Sequence, residues 1–386
     1  MSKPLIWCVV VSLSSALLSC LNVAEERARI AERVGHAQVS GASVSVIEGS
    51  ATVRELSYAE GRVTLWLWAQ TPGLKVRIER NGDVRLQSLS LKVSNVMAES
   101  ELRAVAASDR SPNTGLGAGD RGPSSSGELP TVIQAEMSLN GRNATLELTP
   151  PQPPQDQPWR FALFADVQER IDGLADLLSP LGQEQVRFAL ISGDLTSMGK
   201  THELLKFQEE MEAHLPFPCY PTLGNHELGT PGIPFHRLFG RGTYSFTYGG
   251  ARFTLLDGAS ATLAPRARRD LDRWLDEARA QAHVVVTHIP FLDPDGTRGG
   301  AFASRLEAAD ILSTLKAHHV DLLLYGHVHT YRYFYQAGIP TVISGGGGSI
   351  PMRLDGIGRH YVVFEINDPQ GDTQLSHRVA RVYPEE

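Results

Sequence analysis

Apolar and polar residues alternate over much of the first 150 positions, and then the period changes. Val44 and Val46, then Val63, Leu65 and Leu67, then Val76 and Ile78 fall at every second position. That is the period of a strand with one buried face. Asn81-Gly82 stands between residues 74–80 and 84–93, and Asn140-Gly141 between residues 132–139 and 144–148. Each pair reads as the turn of a β-hairpin, because Asn and Gly tolerate the positive φ of a two-residue turn. Residues 108–130, rich in Gly, Ser, Pro and Asp, read as a long flexible loop. The pattern predicts a small all-β, sandwich-like domain over residues 36–149, with no cluster of catalytic side chains in it.

Pro150-Pro151-Gln152-Pro153-Pro154 opens a stiff linker at residues 150–158. Beyond it, short apolar runs alternate with helical patterns. Leu271, Trp274, Leu275 and Ala278 fall at i, i+3, i+4 and i+7, which predicts a helix over residues 266–280. It lies between strands at 253–256 and 283–287. This is α/β texture over residues 159–386, and such folds carry functional groups at strand ends.

Length and charge narrow the class. A chain of 386 residues has room for two domains. The formal net charge is −7 with no Lys/Arg-rich block, so no nucleic-acid partner is expected. Lys3 followed by the apolar stretch 5–18 reads as a targeting segment over residues 1–20. The stretch is too short for a membrane-spanning helix, which needs about 20 residues. Leu17-Leu18-Ser19-Cys20 resembles a bacterial lipobox. It predicts cleavage before Cys20, acylation of that cysteine, and an exported lipoprotein anchored in the cell envelope, in the periplasm or at the cell surface. An ordinary secretory signal is the alternative. Residues 21–35 read as a tether or short helix. With Cys8 removed and Cys20 acylated, only Cys219 remains, so no internal disulfide is expected. Cys219 reads as a small core residue.

Five predicted strands end in residues that carry chemistry. Residues 161–165 lead to Asp166-Val167-Gln168, and 188–192 lead to Gly193-Asp194. Residues 219–223 lead to Gly224-Asn225-His226-Glu227, 283–287 to His288, and 322–325 to Gly326-His327-Val328-His329. Each motif alone is commonplace, but the ordered set is specific. Carboxylates, imidazoles and an Asn carbonyl are ligands for divalent cations. A carboxylate such as Asp194 can bridge two of them.

The ordered set resembles the calcineurin-like metallophosphoesterase superfamily. Supporting phrases are Thr243-Tyr244-Ser245-Phe246, Asp257-Gly258 after residues 253–256, and the run 345–348 after residues 341–344. The likeness spans about residues 159–382. It implies an α/β (α+β) fold, a four-layer αββα sandwich with two divalent metal ions (Mn, Fe, Mg or Zn) at the strand ends. By position it implies Asp166, Gln168 and His329 at the first metal, Asn225, His288 and His327 at the second, and Asp194 between them. It implies His226 facing the phosphoryl group, with Glu227 supporting the site. The implied activity is hydrolysis of a phosphomonoester or phosphodiester by in-line attack of metal-bound hydroxide. Gln168 stands where the family usually has His. A Gln carbonyl is neutral and harder than imidazole, which implies a weaker first site and a tilt toward Mn, Mg or Fe(II). Ser197 and Met198 replace the Asp-Arg of the protein Ser/Thr phosphatase branch, which disfavours that branch. A metal-binding but inactive scaffold, with the β domain carrying the function, is the alternative; Gln168 is its support.

Other polar and aromatic residues have blander readings. Trp66 and Trp68 read as sheet packing. His202 and Glu203 follow Thr201, a candidate helix N-cap, and read as surface. His318 and His319 end a helix. His236, Arg237, Arg241 and Arg298 read as solvated loop residues, although such loops also carry specificity.

Overall fold

The computed structural model describes residues 23–82, 84–107, 130–141, 143–154, 157–278, 281–296, 299–352, 356–367 and 374–382. The lipobox with Cys20, residues 108–129 of the Gly/Ser-rich stretch, and Arg298 lie outside them.

Residues 36–149 form two packed sheets. One holds β1 (His36–Gln38), β2 (Ala42–Glu48), β5 (Leu74–Arg80), β9 (Asn143–Thr149) and β7 (Glu101–Ala107), in that order. The other holds β3 (Ala51–Ala59), β4 (Arg62–Ala69), β6 (Leu86–Ser94) and β8 (Val132–Gly141). Val44, Val63, Leu65, Leu67, Val76, Ile78, Leu89 and Leu146 fill the space between them. The alternation therefore serves a sandwich core.

The two Asn-Gly turns do not close hairpins. β5 and β6, on either side of Asn81-Gly82, lie in opposite sheets, and so do β8 and β9. β5 pairs with β2 and β9, while β6 runs parallel to β4 and antiparallel to β8. A local turn signal sets where the chain reverses. Which strand becomes the neighbour is decided by burying both apolar faces in one core. The Asn81 amide donates to the Val39 carbonyl at 3.0 Å, tying this turn to the one between β1 and β2. The tight hairpin of the second sheet is made instead by Glu60-Gly61, with φ of 48° and 87°, between β3 and β4.

The second half is a four-layer α/β sandwich. Its first sheet has the order β12 (Cys219–Pro221), β11 (Ala189–Ile191), β10 (Trp159–Phe164), β19 (His360–Asn367), β20 (Gln374–Arg381). The second has the order β13 (Tyr244–Tyr248), β14 (Ala251–Leu256), β15 (Ala282–Thr287), β16 (Leu322–Tyr325), β18 (Ile339–Ser344), β17 (Tyr331–Gln336). Phe161, Leu163, Phe188, Phe253, Val284 and Leu324 pack between the sheets. Helices α2 (Ala175–Gly182) and α3 (Thr201–His214) cover one outer face, through Leu178, Leu204 and Phe207. Helices α5 (Pro265–Glu277) and α6 (Arg305–Ala317) cover the other, through Leu271, Leu275, Ile311 and Leu315. A short helix, α4 (Phe235–Leu238), lies between β12 and β13. Strands buried on both faces read as continuous apolar runs, as the five motif strands do.

The two halves are docked. Trp68 meets Phe239 edge-on, with ring centroids 5.8 Å apart. The Asn95 side chain accepts from Cys219 N at 2.9 Å and donates to Cys219 O at 2.8 Å, bracing β12 as a neighbouring strand would. Residues 23–32, here α1, are helical and are not a free tether. Arg27 is 2% exposed and grips Asp257 bidentately at 2.7 and 2.9 Å, with Ser260 at 2.8 Å. A guanidinium so buried requires a paired carboxylate, and Asp257 supplies it.

His283, near the start of β15, gives the fold a pH dependence. Its Nε2 lies 2.8 Å from Thr254 Oγ1. Burial, then the charges of Arg252 and His318, lower its pKa to about 3. The neutral ring is the stable form in the fold. Its contribution is complete above the ordinary His pKa of about 6.5 and is lost as pH falls toward 3. Between pH 6.5 and 4.5 this one group is expected to cost about 2.5 kcal/mol. Urea titrations of wild type and His283→Gln check it: the variant should start less stable but fall less steeply over that range. Equal slopes would mean that His283 is protonated in the folded protein.

Candidate metal centre

The motif strands deliver their residues to one edge of the two sheets. β10 and β11 run parallel, as do β11 and β12. β14, β15, β16 and β18 also run parallel to one another. Each of the five motif strands therefore ends at the same edge as its parallel neighbours. Sharp turns follow: Asp166, Gln168, Asp194 and His327 have φ of 62°, 49°, 53° and 68°. Non-glycine residues avoid this region, at a cost of about 1 kcal/mol or more each. Gly193 adopts φ +87°, and a Cβ there would lie 2.7 Å from Gly224 backbone and from His288 Nδ1. Only glycine lets these loops approach so closely.

Eight predicted residues come together here. Asp194, His288 and His327 each offer a ligand atom within 4.8 Å of the others. His288 Nε2 lies 3.3 Å from Asp194 Oδ1 and 3.0 Å from Asn225 Oδ1. Asp166 Oδ1 lies 3.4 Å from His329 Nε2, and its Oδ2 accepts from His327 N at 2.8 Å. His226 N donates to Asp194 Oδ1 at 2.9 Å. Gln168 Nε2 donates to Asp194 Oδ2 at 2.8 Å and lies 3.3 Å from His329 Nε2, while its carbonyl oxygen accepts from Ser349 at 2.7 Å. In this arrangement Gln168 turns its amide nitrogen, not its carbonyl, toward Asp194 and His329.

The histidines are held by backbone carbonyls. His288 Nδ1 faces Ser192 O at 2.7 Å, and His329 Nδ1 faces Ile350 O at 2.6 Å. His327 Nε2 faces Gly299 O at 3.0 Å. A carbonyl only accepts, so the outer nitrogen carries a proton, and in the neutral ring the inner one keeps a lone pair. His288 and His329 thus offer Nε2, and His327 offers Nδ1. Asp166 Oδ1 is buried without a hydrogen-bond partner. Several acceptors converge on the same space, and such a set suits a cation. The electrostatics agree. Burial alone would lower the pKa of His288, but the charge and hydrogen bond of Asp194, then Asp166, outweigh it and raise it to about 9. Asp194 is raised by burial and lowered more by His288 and His226, and ends well below the carboxylate range. The residues fit a divalent metal site.

Glu227 is fully buried behind the centre. Its carboxylate accepts from Asp194 N and Gly224 N at 2.9 Å and from Thr196 N at 3.1 Å. Burial, then the Asp194 charge, push its pKa up to about 8. It stitches the loop after β11 to the loop after β12. Glu227→Ala would strand three buried N–H groups, each at about 1–3 kcal/mol. We expect a loss of at least about 3 kcal/mol in urea unfolding, and a change below about 1 kcal/mol would show that water replaces the carboxylate.

Other candidates fall elsewhere. His236 is buried on α4, with Nδ1 2.9 Å from Gly240 O, and burial lowers its pKa; it is a packed residue, not a solvated one. Arg241 ties the halves together, its N donating to Gln70 Oε1 at 2.6 Å and its guanidinium to Val34 O at 3.0 Å. Lys200, not Thr201, is the N-cap of α3, and Glu203 accepts from its backbone N–H at 3.2 Å. Cys219 and Trp68 are buried, as expected. The carbonyls of Ser192, Ser197, Gly299 and Ile350 are the partners that sequence reasoning missed.

Residues 160–331 match the family model for calcineurin-like phosphoesterase. The segment belongs to that family. Phosphoester hydrolysis is the chemistry that this match supports for the segment. Solved structures with which it shares likeness include a purple acid phosphatase, PPD1, from yellow lupin, at 13% identity over 80% of this chain and 72% of that one, TM-score 0.49. A dimetal phosphatase from Danio rerio matches at 15% identity over 58% and 99%, TM-score 0.44. GAP50, described as the anchor in the inner membrane complex of Plasmodium, matches at 17% over 59% and 86%, TM-score 0.44. The assignment rests on the family model. No curated protein matches the chain.

Proposed function

We propose that the chain hydrolyses a phosphomonoester or phosphodiester with two divalent cations held at this centre. The convergence of acceptors around Asp194, with Asp166 Oδ1 buried and facing only His329 Nε2 at 3.4 Å, carries the reading. Asp166 and His329 would hold one cation, with Gln168 beside it. Asn225, His288 and His327 would hold the other, and Asp194 would serve both. When bound, such a pair polarises the phosphoryl group and lowers the pKa of water. The chain's own part is to keep three imidazole nitrogens aimed inward, to set a buried negative charge between the cations, and to place His226. Its Nδ1 lies 2.7 Å from Ser197 O, which fixes the ring and leaves Nε2 for the substrate's leaving oxygen. The test is hydrolysis of p-nitrophenyl phosphate and bis(p-nitrophenyl) phosphate after loading with Mn, Mg, Fe(II) or Zn in turn. Metal-dependent turnover of either ester is expected, and chelation should abolish it. Two ions bound with no ester hydrolysed would replace this reading with the inactive scaffold.

We further infer from the lipobox that Cys20 is acylated and anchors the chain in the cell envelope. Cys20→Ala is expected to leave the protein unprocessed or to release it from the membrane fraction. Unchanged gel mobility and fractionation would remove the lipoprotein reading.

A further inference from the structure

Ten large apolar side chains are exposed among the described residues, and five of them are Val23, Met198, Leu306, Ile350 and Met352. These five belong to loops or helix starts at the sheet edge that bears the metal centre. Met198 follows Ser197, whose carbonyl faces His226. Ile350 supplies the carbonyl that faces His329, and Met352 N donates to His329 O. Leu306 lies in the first turn of α6, the helix entered from the loop after β15. Val23 opens α1, which Arg27 pins to Asp257 at the end of β14. Two of these side chains are almost bare: Leu306 is 85% exposed and Ile350 75%. Exposed cations neighbour two of the five in the chain: Arg305 precedes Leu306, and Lys200 lies two residues after Met198. Apolar tips flanked by Lys and Arg suit the boundary between headgroups and acyl chains of an anionic bilayer.

The position of the N-terminal segment agrees. Two residues, and so three Cα steps, separate Cys20 from Val23, a reach of at most about 11 Å. Because α1 is docked, an acylated Cys20 would hold this same edge close to the bilayer.

We propose that the edge bearing the metal centre docks on an anionic phospholipid bilayer, with Leu306, Ile350, Met198 and Met352 entering the interface. The scissile phosphoester is then met at the membrane surface. The proposal rests on the phosphoesterase reading only for what lies at this edge. The test measures binding without turnover, so either reading can fail while the other stands.

The chain from residue 21 onward, which keeps every described element and lacks the anchor, is floated with vesicles of phosphatidylglycerol and phosphatidylethanolamine. It is expected to bind them and to bind phosphatidylcholine vesicles far less. The double variant Leu306→Ser/Ile350→Ser should bind at least about tenfold more weakly, as expected for withdrawing two apolar side chains from a membrane. Ile47→Ser, an exposed position on β2 of the other half, should bind as wild type does. Both substitutions are at exposed positions, and an unchanged melting temperature verifies the fold. The proposal is overturned if the wild-type chain does not float, if the double variant floats equally well, or if phosphatidylcholine vesicles bind as tightly.

Discussion

Asp194→Asn is expected to lower bound metal sharply and to reduce turnover by at least about a thousandfold, equivalent to about 4 kcal/mol in the barrier. The substitution keeps the shape of the side chain. Its carboxylate is 1% exposed, and its two oxygens face different halves of the centre. Oδ1 receives His226 N and stands 3.3 Å from His288 Nε2. Oδ2 receives the Gln168 amide at 2.8 Å. An Asn would offer one acceptor and one donor where two acceptors are needed, and it would remove the charge that offsets repulsion between two cations. The backbone should hold, because Asp194 N is secured by Glu227 at 2.9 Å, independently of the side chain. Metal analysis after dialysis and ester hydrolysis are read on the same preparation. Full occupancy by two ions would show that another group lies between them.

The contrast with Glu227→Ala separates two kinds of failure. Asp194 faces the centre, whereas Glu227 faces three backbone N–H groups behind it. The first variant should lose metal while keeping its unfolding midpoint, and the second should lose stability first. Similar midpoints and similar metal losses in both would indicate that the loop after β11 is ordered by the cations rather than by Glu227.

Much of the α/β half could be read from the sequence because its strands are buried on both faces. A short apolar run ending in Gly-Asp or Gly-His-x-His is a local signal, and the ends of β10, β11, β12, β15 and β16 fall within a few residues of those runs. The eight clustered side chains were legible for the same reason: each sits on the turn that its own strand dictates. What was not legible depends on partners distant in the chain. The Asn-Gly turns mark reversals, yet pairing across the β-sandwich is decided by neighbours far away in sequence. Arg27 carries no sign that it will be buried, because Asp257 lies 230 positions further on. His236 sits in a polar-looking stretch, but α4 packs against the β domain and takes it inside. The carbonyls that orient His226, His288, His327 and His329 are backbone groups, which every residue has and no motif can single out. Gln168 could be named as a member of the cluster, whereas the direction of its amide depends on Ser349, 181 positions away.

His226→Ala is expected to cut turnover by about a hundredfold to ten-thousandfold while leaving metal content near the wild-type level. The ring is fixed from two sides. Its own backbone N–H donates to Asp194 Oδ1, and its Nδ1 is held at 2.7 Å by Ser197 O. Neither contact uses Nε2, which lies 3.9 Å from Asp194 Oδ2, beyond hydrogen-bond length. The side chain is half-buried, so a substrate arriving from solvent can reach it. Alanine keeps the backbone bond to Asp194 and removes only the imidazole, which is why the cations should remain. The leaving group then distinguishes two roles. If the imidazolium form of the ring gives its Nε2 proton to the departing oxygen, esters of alkyl alcohols should lose far more than nitrophenyl esters, whose leaving group needs no proton. If the imidazole stabilises charge on the phosphoryl oxygens, both kinds of ester should lose equally. Loss of metal in the variant would instead make His226 a ligand. Wild-type turnover of both kinds of ester in His226→Ala would take it out of the chemistry altogether.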